Sequence, residues 1–268
     1  VKLGFCVNSL LPRARGGGAL KMGLVALAEQ DWLAPTPNRA LRGAAFDAHP
    51  GSLARLPAAE SPGAELAALL GLSGGLEHCA RAHWEDMCLL TRAPGEEAYR
   101  LVGAAVAFPS DWHPADKLGL TLPELHEPIH GYREQLASGV DHFIAQLAPG
   151  PIFGRANWFV TPTPELRWIA EDPAVAFAAV TPANAGETLF VRSERQTLRK
   201  LPRTGAVLFT IGVYVAPLAS LTPDNLHRIA AAVGSIGAGE AGRRGAPAYA
   251  PALLDYAAAR AAAIGLAS

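Results

Sequence analysis

The chain has 268 residues, 50% of them hydrophobic and 18% charged, with a formal net charge of -1. That much apolar material builds a substantial core in one large domain or two small ones. The near-neutral charge gives no electrostatic reason to expect nucleic acid or an anionic membrane as partner, and no stretch approaches the roughly 20 continuous apolar residues of a membrane span.

The opening V-K-L-G-F-C-V-N carries one lysine and a short apolar patch, but Pro12, Arg13 and Arg15 follow too soon for a secretory leader. The next stretch, up to residue 60, is broken repeatedly by Gly and Pro, with residues 21–30 as one short helical candidate. It reads as an extended, wrapping segment. Residues 62–72 and 75–84 follow as two short helices. Residues 87–91 and 99–108 are β-favouring runs joined by a charged turn with Pro94 and Gly95, which predicts a hairpin.

Residues 109–128 hold short helical pieces and turns, and residues 131–147 form a helix with Leu136, Val140, Phe143, Ile144 and Leu147 as its apolar stripe. Strands are then expected at 156–161, 189–198 and 206–215, with a shorter one at 166–169. A helix over 221–233 has Thr222 or Asp224 as cap, and a glycine-rich gap at 234–245 precedes a closing helix over 251–264. This order predicts an α+β fold, an antiparallel sheet with helices packed on one side, and no regular βαβ alternation. Gly16-Gly17-Gly18 follows no strand, which disfavours a dinucleotide-binding unit. One domain over residues 1–268 is expected, with a wrapping extension at 1–84, a core at 85–218 and C-terminal helices at 219–268.

Cys6, Cys79 and Cys88 include no Cys-x-x-Cys pair. They match neither an iron–sulfur set, a zinc knuckle nor a disulfide framework, so a reduced cytoplasmic setting is expected. Cys6 and Cys88, flanked by apolar residues, read as small core side chains. Cys79 beside His78 lacks the third group that would orient a nucleophilic pair.

The densest run of ionic groups is R-S-E-R-Q-T-L-R-K-L-P at residues 192–202. Strand alternation puts Arg192, Glu194 and Gln196 on one face, with Arg195 on the other. Such a strand is either a polar wall for a bound small molecule or a solvated sheet face. Glu194 suits an ammonium, and Arg195 or Arg199 suits a propionate, since a guanidinium fork matches a carboxylate. Lys200 and Arg203 are expected to face water. Asn157 shares a face with Phe159 and can orient a small ligand; Trp158 points the other way and reads equally as core. Among the histidines, His126 and His130 are four apart, but Pro128 between them disfavours one helical face and hence a shared zinc. His126 lies in the turn L-H-E-P-I-H-G-Y, where it serves either its own loop or a ligand. His142 lies off the apolar stripe of the longer helix.

Taken in order, several blocks resemble the haem-dependent oxidative N-demethylase alpha-subunit-like family. They are K-M-G-L at 21–24, D-W-L at 31–33, E-D-M-C-L-L at 85–90 and F-P-S-D-W-H-P-A-D-K-L-G at 108–119. The series continues with L-H-E-P-I-H-G-Y at 125–132, N-W at 157–158 and E-R-Q-T-L-R-K-L-P at 194–202, leading into V-L-F-T-I-G-V-Y. The last block is the most specific. Leu125 replaces an isoleucine, and Pro128-Ile129-His130 stands where the family has P-V-P, adding a titratable His130.

The resemblance implies a PAS-like core, a curved antiparallel sheet with helices over one face, haem b between them, and flanking N- and C-terminal helical segments. It carries the iron ligand to His126, with His142 as the alternative, and puts Glu194, Arg195, Gln196 and Arg199 near the cofactor, with Asn157 and Trp158 in the N-W block. A single histidine can hold haem iron while its other ring nitrogen is fixed by a carbonyl or carboxylate. The implied activity is oxidative N-demethylation of a small methylated amine by dioxygen. Glu194, Gln196 and Asn157 would act on the substrate, and a separate flavin- and NADPH-using reductase would supply electrons, because this chain carries no sequence motif for either. A haem sensor or carrier without turnover, or a haem-free partner-binding scaffold, would share the same blocks.

Overall fold

The computed structural model describes residues 2–14, 21–96, 98–129, 131–263 and 265. Its strands are Val25–Leu27 (β1), Leu53–Arg55 (β2), Asp86–Thr91 (β3), Arg100–Ala105 (β4), Ile152–Thr161 (β5), Phe190–Lys200 (β6) and Val207–Pro217 (β7). They form one seven-stranded sheet in the order β1-β5-β6-β7-β3-β4-β2, and every pairing is antiparallel. The fold class is α+β. The longer helices are Arg39–Ala48 (α1), Glu60–Leu69 (α2), Leu76–Ala82 (α3), Ser138–Gln146 (α4), Pro223–Gly234 (α5) and Ala246–Ala263 (α6).

β-Branched and aromatic residues concentrate in β5 and β7, where they fit a pleated, half-buried surface. The β6–β7 hairpin runs in register from Phe190 opposite Pro217 to Lys200 opposite Val207. Its turn closes with a bond from the Leu201 amide to the Ala206 carbonyl, 2.8 Å. Gly205 sits in that turn at φ 69°, a conformation that only glycine adopts without strain.

The two faces of the sheet are covered differently. Along β5, Ile152, Gly154, Ala156, Trp158 and Val160 are buried, whereas Phe153, Arg155, Asn157 and Phe159 remain half-buried. The buried face is sealed by the terminal segments. α2 and α3 press so closely on β4 that a Cβ on Gly103 would lie 2.9 Å from the Ala59 methyl and 3.0 Å from Leu76. α5 and α6 cover Trp158, Val160 and Val191 with Leu226, Ile229, Tyr249 and Leu253. On the other face lies the segment joining β4 to β5, whose Leu122, Ile144 and Leu147 pack on Cys88, Leu90, Leu101 and Val207.

A buried ion pair ties the N-terminal half to the sheet. Arg42 of α1 donates to Asp86 at 2.7 Å and to the carbonyls of Ala80 and Glu85. Asp86 also accepts the amides of Ala107 and Phe108. Each charge is therefore paired and its remaining hydrogen-bonding capacity largely used, the condition under which a buried ion pair is tolerated.

Several local expectations give way to tertiary pairing. Residues 21–30 are not helical: Val25–Leu27 instead pairs with β5, and Glu29–Asp31 forms a short 3-10 turn. A window that short gains little from helix formation alone, so one row of sheet bonds decides its state. The predicted strand at 166–169 is reduced to a single bridge between Trp168 and Ser110. The glycine-rich gap contains the helix Ala238–Arg243, and α6 begins before Pro251. Cys6 is exposed, capping the short helix Val7–Leu10, while Cys79 and Cys88 are buried; burial pushes the Cys79 thiol up to about 11. Arg15, Gly16-Gly17-Gly18, His130 and Ile264 lie outside the described residues. Among the described residues no helix is long and apolar enough to cross a membrane.

Candidate functional site

The half-buried sheet face carries a polar patch at its centre. In the β5–β6 register Asn157 stands opposite Glu194, Arg155 opposite Gln196, Phe153 opposite Leu198 and Phe159 opposite Arg192. Directly opposed residues point to the same side. One carboxylate, two amides and two guanidiniums of adjoining strands therefore meet in one place, flanked by Phe153, Leu198 and, from β7, Phe209.

Glu194 is held from both sides. Its Oε1 accepts the Ser110 hydroxyl at 2.5 Å, and its Oε2 accepts the Gln196 amide at 2.9 Å. Ser110 in turn accepts from Arg192 Nε at 2.7 Å. The rest of the Arg192 guanidinium is spent on carbonyls, Leu166 at 2.6 Å, Phe108 at 2.7 Å and Pro109 at 3.1 Å, with a longer contact to Glu165. Burial lowers the Arg192 pKa to about 10, against the opposing pull of Glu194 and Asp86. Beside this network Asp111 adopts φ 62°, a rare conformation for a residue with a side chain. The loop is thus shaped to present Ser110 to the sheet.

His126 approaches from the covering segment. It ends the short helix Leu122–Leu125, where Thr121 and Glu124 form a capping box. Its Nδ1 lies 2.8 Å from the Leu122 carbonyl oxygen. A carbonyl only accepts, so Nδ1 carries the proton and Nε2 keeps its lone pair. Burial lowers the His126 pKa, the Leu122 contact opposes this, and nearby Arg155 adds to the lowering. The ring stacks on Tyr132 at 4.4 Å and 13°. Tyr132 is itself pushed up to about 12 by burial and by Asp141, against Arg155.

Three polar atoms in this region are buried without a partner among the described residues: Arg155 Nε, Asn157 Oδ1 and Tyr132 OH. Arg155 is held below its ordinary pKa by burial, with Glu194 and Tyr132 opposing. The apolar residues around them, Phe143, Phe153, Leu198 and Phe209, are only partly buried, and Phe143 meets Phe153 edge-on at 5.2 Å. This arrangement can bind a ligand that brings apolar area together with both hydrogen-bond donors and acceptors.

The structure therefore brings Glu194, Gln196 and Asn157 together, with His126 on the segment facing them. It does not bring in the remaining candidates. Trp158 is buried on the sealed face beneath Arg244. Arg195 is on that face too, donating to the carbonyls of Leu3, Asp31 and Trp32. Arg199 pairs with Glu29 at 2.6 Å and lies over the Trp32 ring. His142 is exposed on α4. For Arg195 and Arg199 side-chain alternation is the reason, since an odd-numbered residue of β6 cannot share a face with Glu194.

Ser110, Tyr132 and Arg155 were not found by sequence reasoning. Arg155 falls one residue before the expected strand at 156–161, whereas β5 starts at Ile152; extending the alternation backwards from Asn157 would have found it. Ser110 and Tyr132 lie in quoted blocks, but nothing local points them at the sheet. Two surface cavities, of about 570 and 320 Å³, lie elsewhere, one against Trp158 and Ile229, the other against Trp84 and Tyr214.

The protein-family model described as haem-dependent oxidative N-demethylase, alpha subunit-like, matches residues 66–254. That is well over half of the chain. The matched part includes every residue of the half-buried polar patch and leaves out β1 and β2.

Proposed function

Because the chain belongs to the haem-dependent oxidative N-demethylase, alpha subunit-like family, we propose that its half-buried sheet face holds haem b in a PAS-like cleft and oxidises an N-methyl group of a small amine. The observation that carries this reading is the state of His126, which lies near Arg155 of the sheet face that also carries Glu194. The imidazole has its Nδ1 fixed by the Leu122 carbonyl and lies near Arg155, which the strand register sets diagonal to Glu194, a buried carboxylate held at both oxygens.

The residues present fit such a group. His126 supplies a neutral nitrogen ligand oriented through its other ring nitrogen, the usual state of a metal-bound imidazole. Phe143, Phe153, Leu198 and Phe209 offer apolar walls. Haem, when bound, supplies the dioxygen chemistry, which side chains alone do not perform. The chain's own residues bind and orient the amine. Glu194 accepts an N–H of the ammonium, Gln196 keeps the carboxylate in place, and Asn157 Oδ1 offers a second acceptor from the opposite strand. Phe153 and Phe159 beside them limit the access of water. The net reaction takes R–NH–CH₃, dioxygen, two electrons and two protons to R–NH₂, formaldehyde and water. The electrons come from a separate flavin- and NADPH-using reductase.

The test is an absorption spectrum of protein produced with ample iron and haem, oxidised and then reduced with and without carbon monoxide. Stoichiometric haem with a Soret band that shifts on reduction and on carbon monoxide is expected, and H126A should lose most of the bound haem. H126A with full haem content and an unchanged spectrum would remove the iron-ligand role. With haem in place, E194Q should lower kcat/KM for the amine about 10- to 100-fold, the loss of a hydrogen bond to a charged group. A wild-type protein that binds haem yet turns over no amine would instead be a haem sensor or carrier.

A further inference from the structure

We propose that the substrate of this cleft is a zwitterion, an N-methylated amino acid, whose ammonium rests on Glu194 and whose carboxylate rests on Arg155. This rests on the reading above, which places the amine at Glu194, and extends it to the other end of the molecule.

The polar groups of this face sort by sign. Acceptors lie together: Glu194 and Asn157 are directly opposite in the β5–β6 register, and Asn157 Oδ1 is buried with no donor among the described residues. Donors lie together: Arg155 Nε and Tyr132 OH are buried and likewise unpartnered, and the two groups are near enough to shift one another's ionisation. A cation needs acceptors and a carboxylate needs donors, so the two halves suit the two ends of a zwitterion.

Arg155 makes the case for a carboxylate. It stands opposite Gln196 and therefore diagonal to Glu194 on one sheet face. Diagonal neighbours are about 7–8 Å apart at the backbone, within reach of long side chains. Yet Glu194 is held by Ser110 and Gln196 instead. A buried guanidinium N–H left without an acceptor costs more than a neutral one, because the charged group has lost its water. A planar carboxylate is the small group whose shape matches the guanidinium fork. A simple methylamine would satisfy Glu194 and Asn157 but leave Arg155 and Tyr132 as they are.

The experiment is calorimetric titration of the haem-loaded protein with N-methylglycine and with dimethylamine, which shares the secondary amine but has no carboxylate. It uses wild type, R155Q and R155K, with haem content measured from the Soret band for each. Wild type should bind N-methylglycine at least about tenfold more tightly than dimethylamine. In R155Q that ratio should collapse toward unity at unchanged haem content, and R155K should recover part of it. Dimethylamine bound as tightly as N-methylglycine by wild type would overturn the inference while leaving an amine site at Glu194. So would loss of haem from R155Q and R155K, which would assign the guanidinium to a haem propionate. Wild type that binds haem but neither ligand would overturn both this inference and the amine reading.

Discussion

Ser110 shows how one hydroxyl can hold two charges in register. It accepts from Arg192 and donates to Glu194, so the guanidinium fixes the direction of the Ser110 proton and with it the carboxylate. S110A leaves the Arg192 Nε donor buried without its acceptor and removes one of the two bonds on Glu194. A stability loss of about 1–3 kcal/mol is expected, the usual effect of a stranded buried donor, measured as a shift of the urea midpoint. An unchanged midpoint would mean that water replaces the hydroxyl. That Glu194 and Gln196 share a face was legible in the sequence, because a strand alternates with period two and nothing interrupts it, whereas the placing of Asn157 opposite Glu194 needed the register between strands. The reach of Ser110 was not, because it depends on a loop conformation at Asp111 and on a contact spanning 84 residues.

At the level of elements, the C-terminal helices are clamped to β5 through Arg244. Its Nη1 donates to the Trp158 carbonyl at 2.9 Å, its guanidinium lies over the Trp158 and Phe159 rings, and its Nε binds Glu240. Burial would raise the Glu240 pKa, but bonds from Arg243 and Arg244 outweigh it and hold the carboxyl at about 2. A carboxylate depressed in the folded state stabilises the fold above its unfolded pKa. That contribution is lost as pH falls from roughly 4.5 through the folded value. E240Q should therefore lower the urea midpoint at neutral pH and differ much less from wild type at about pH 2.5. Equal differences at both pH values would show that the ion pair adds nothing. The helix that carries Glu240, Ala238–Arg243, was hidden in a glycine-rich run: its intrinsic propensity is poor, and its ion pairs and the packing around it compensate.

For the whole molecule, the antiparallel sheet and the covering segment between β4 and β5 were readable from the order of the periodic runs. The sheet order was not. β1 and β2 contain only Val25–Leu27 and Leu53–Arg55, yet they take the two outer positions. Three residues carry too little pattern to declare a strand, and the pairing of each depends on a partner far along the chain. The sealed face has the same origin, since the terminal segments meet there by tertiary contact rather than by any local signal.

Those distant pairings also govern how the protein is made. Asn8 donates to the Ser220 carbonyl and accepts from Thr222 and Asn225, contacts 212 to 217 residues apart in the chain. β1 likewise waits for β5. At about 5–20 residues per second, Asn8 leaves the ribosome some 10–40 s before those partners exist. Until the C-terminal helices are made, Val7 and Leu11, both buried in the finished fold, lack much of the apolar cluster that covers them. A ribosome that pauses after β7 would therefore hold a sheet already paired at its centre, with Leu3 and Leu10 able to pack on Ala156 and Tyr214 but with Asn8 still lacking its partners.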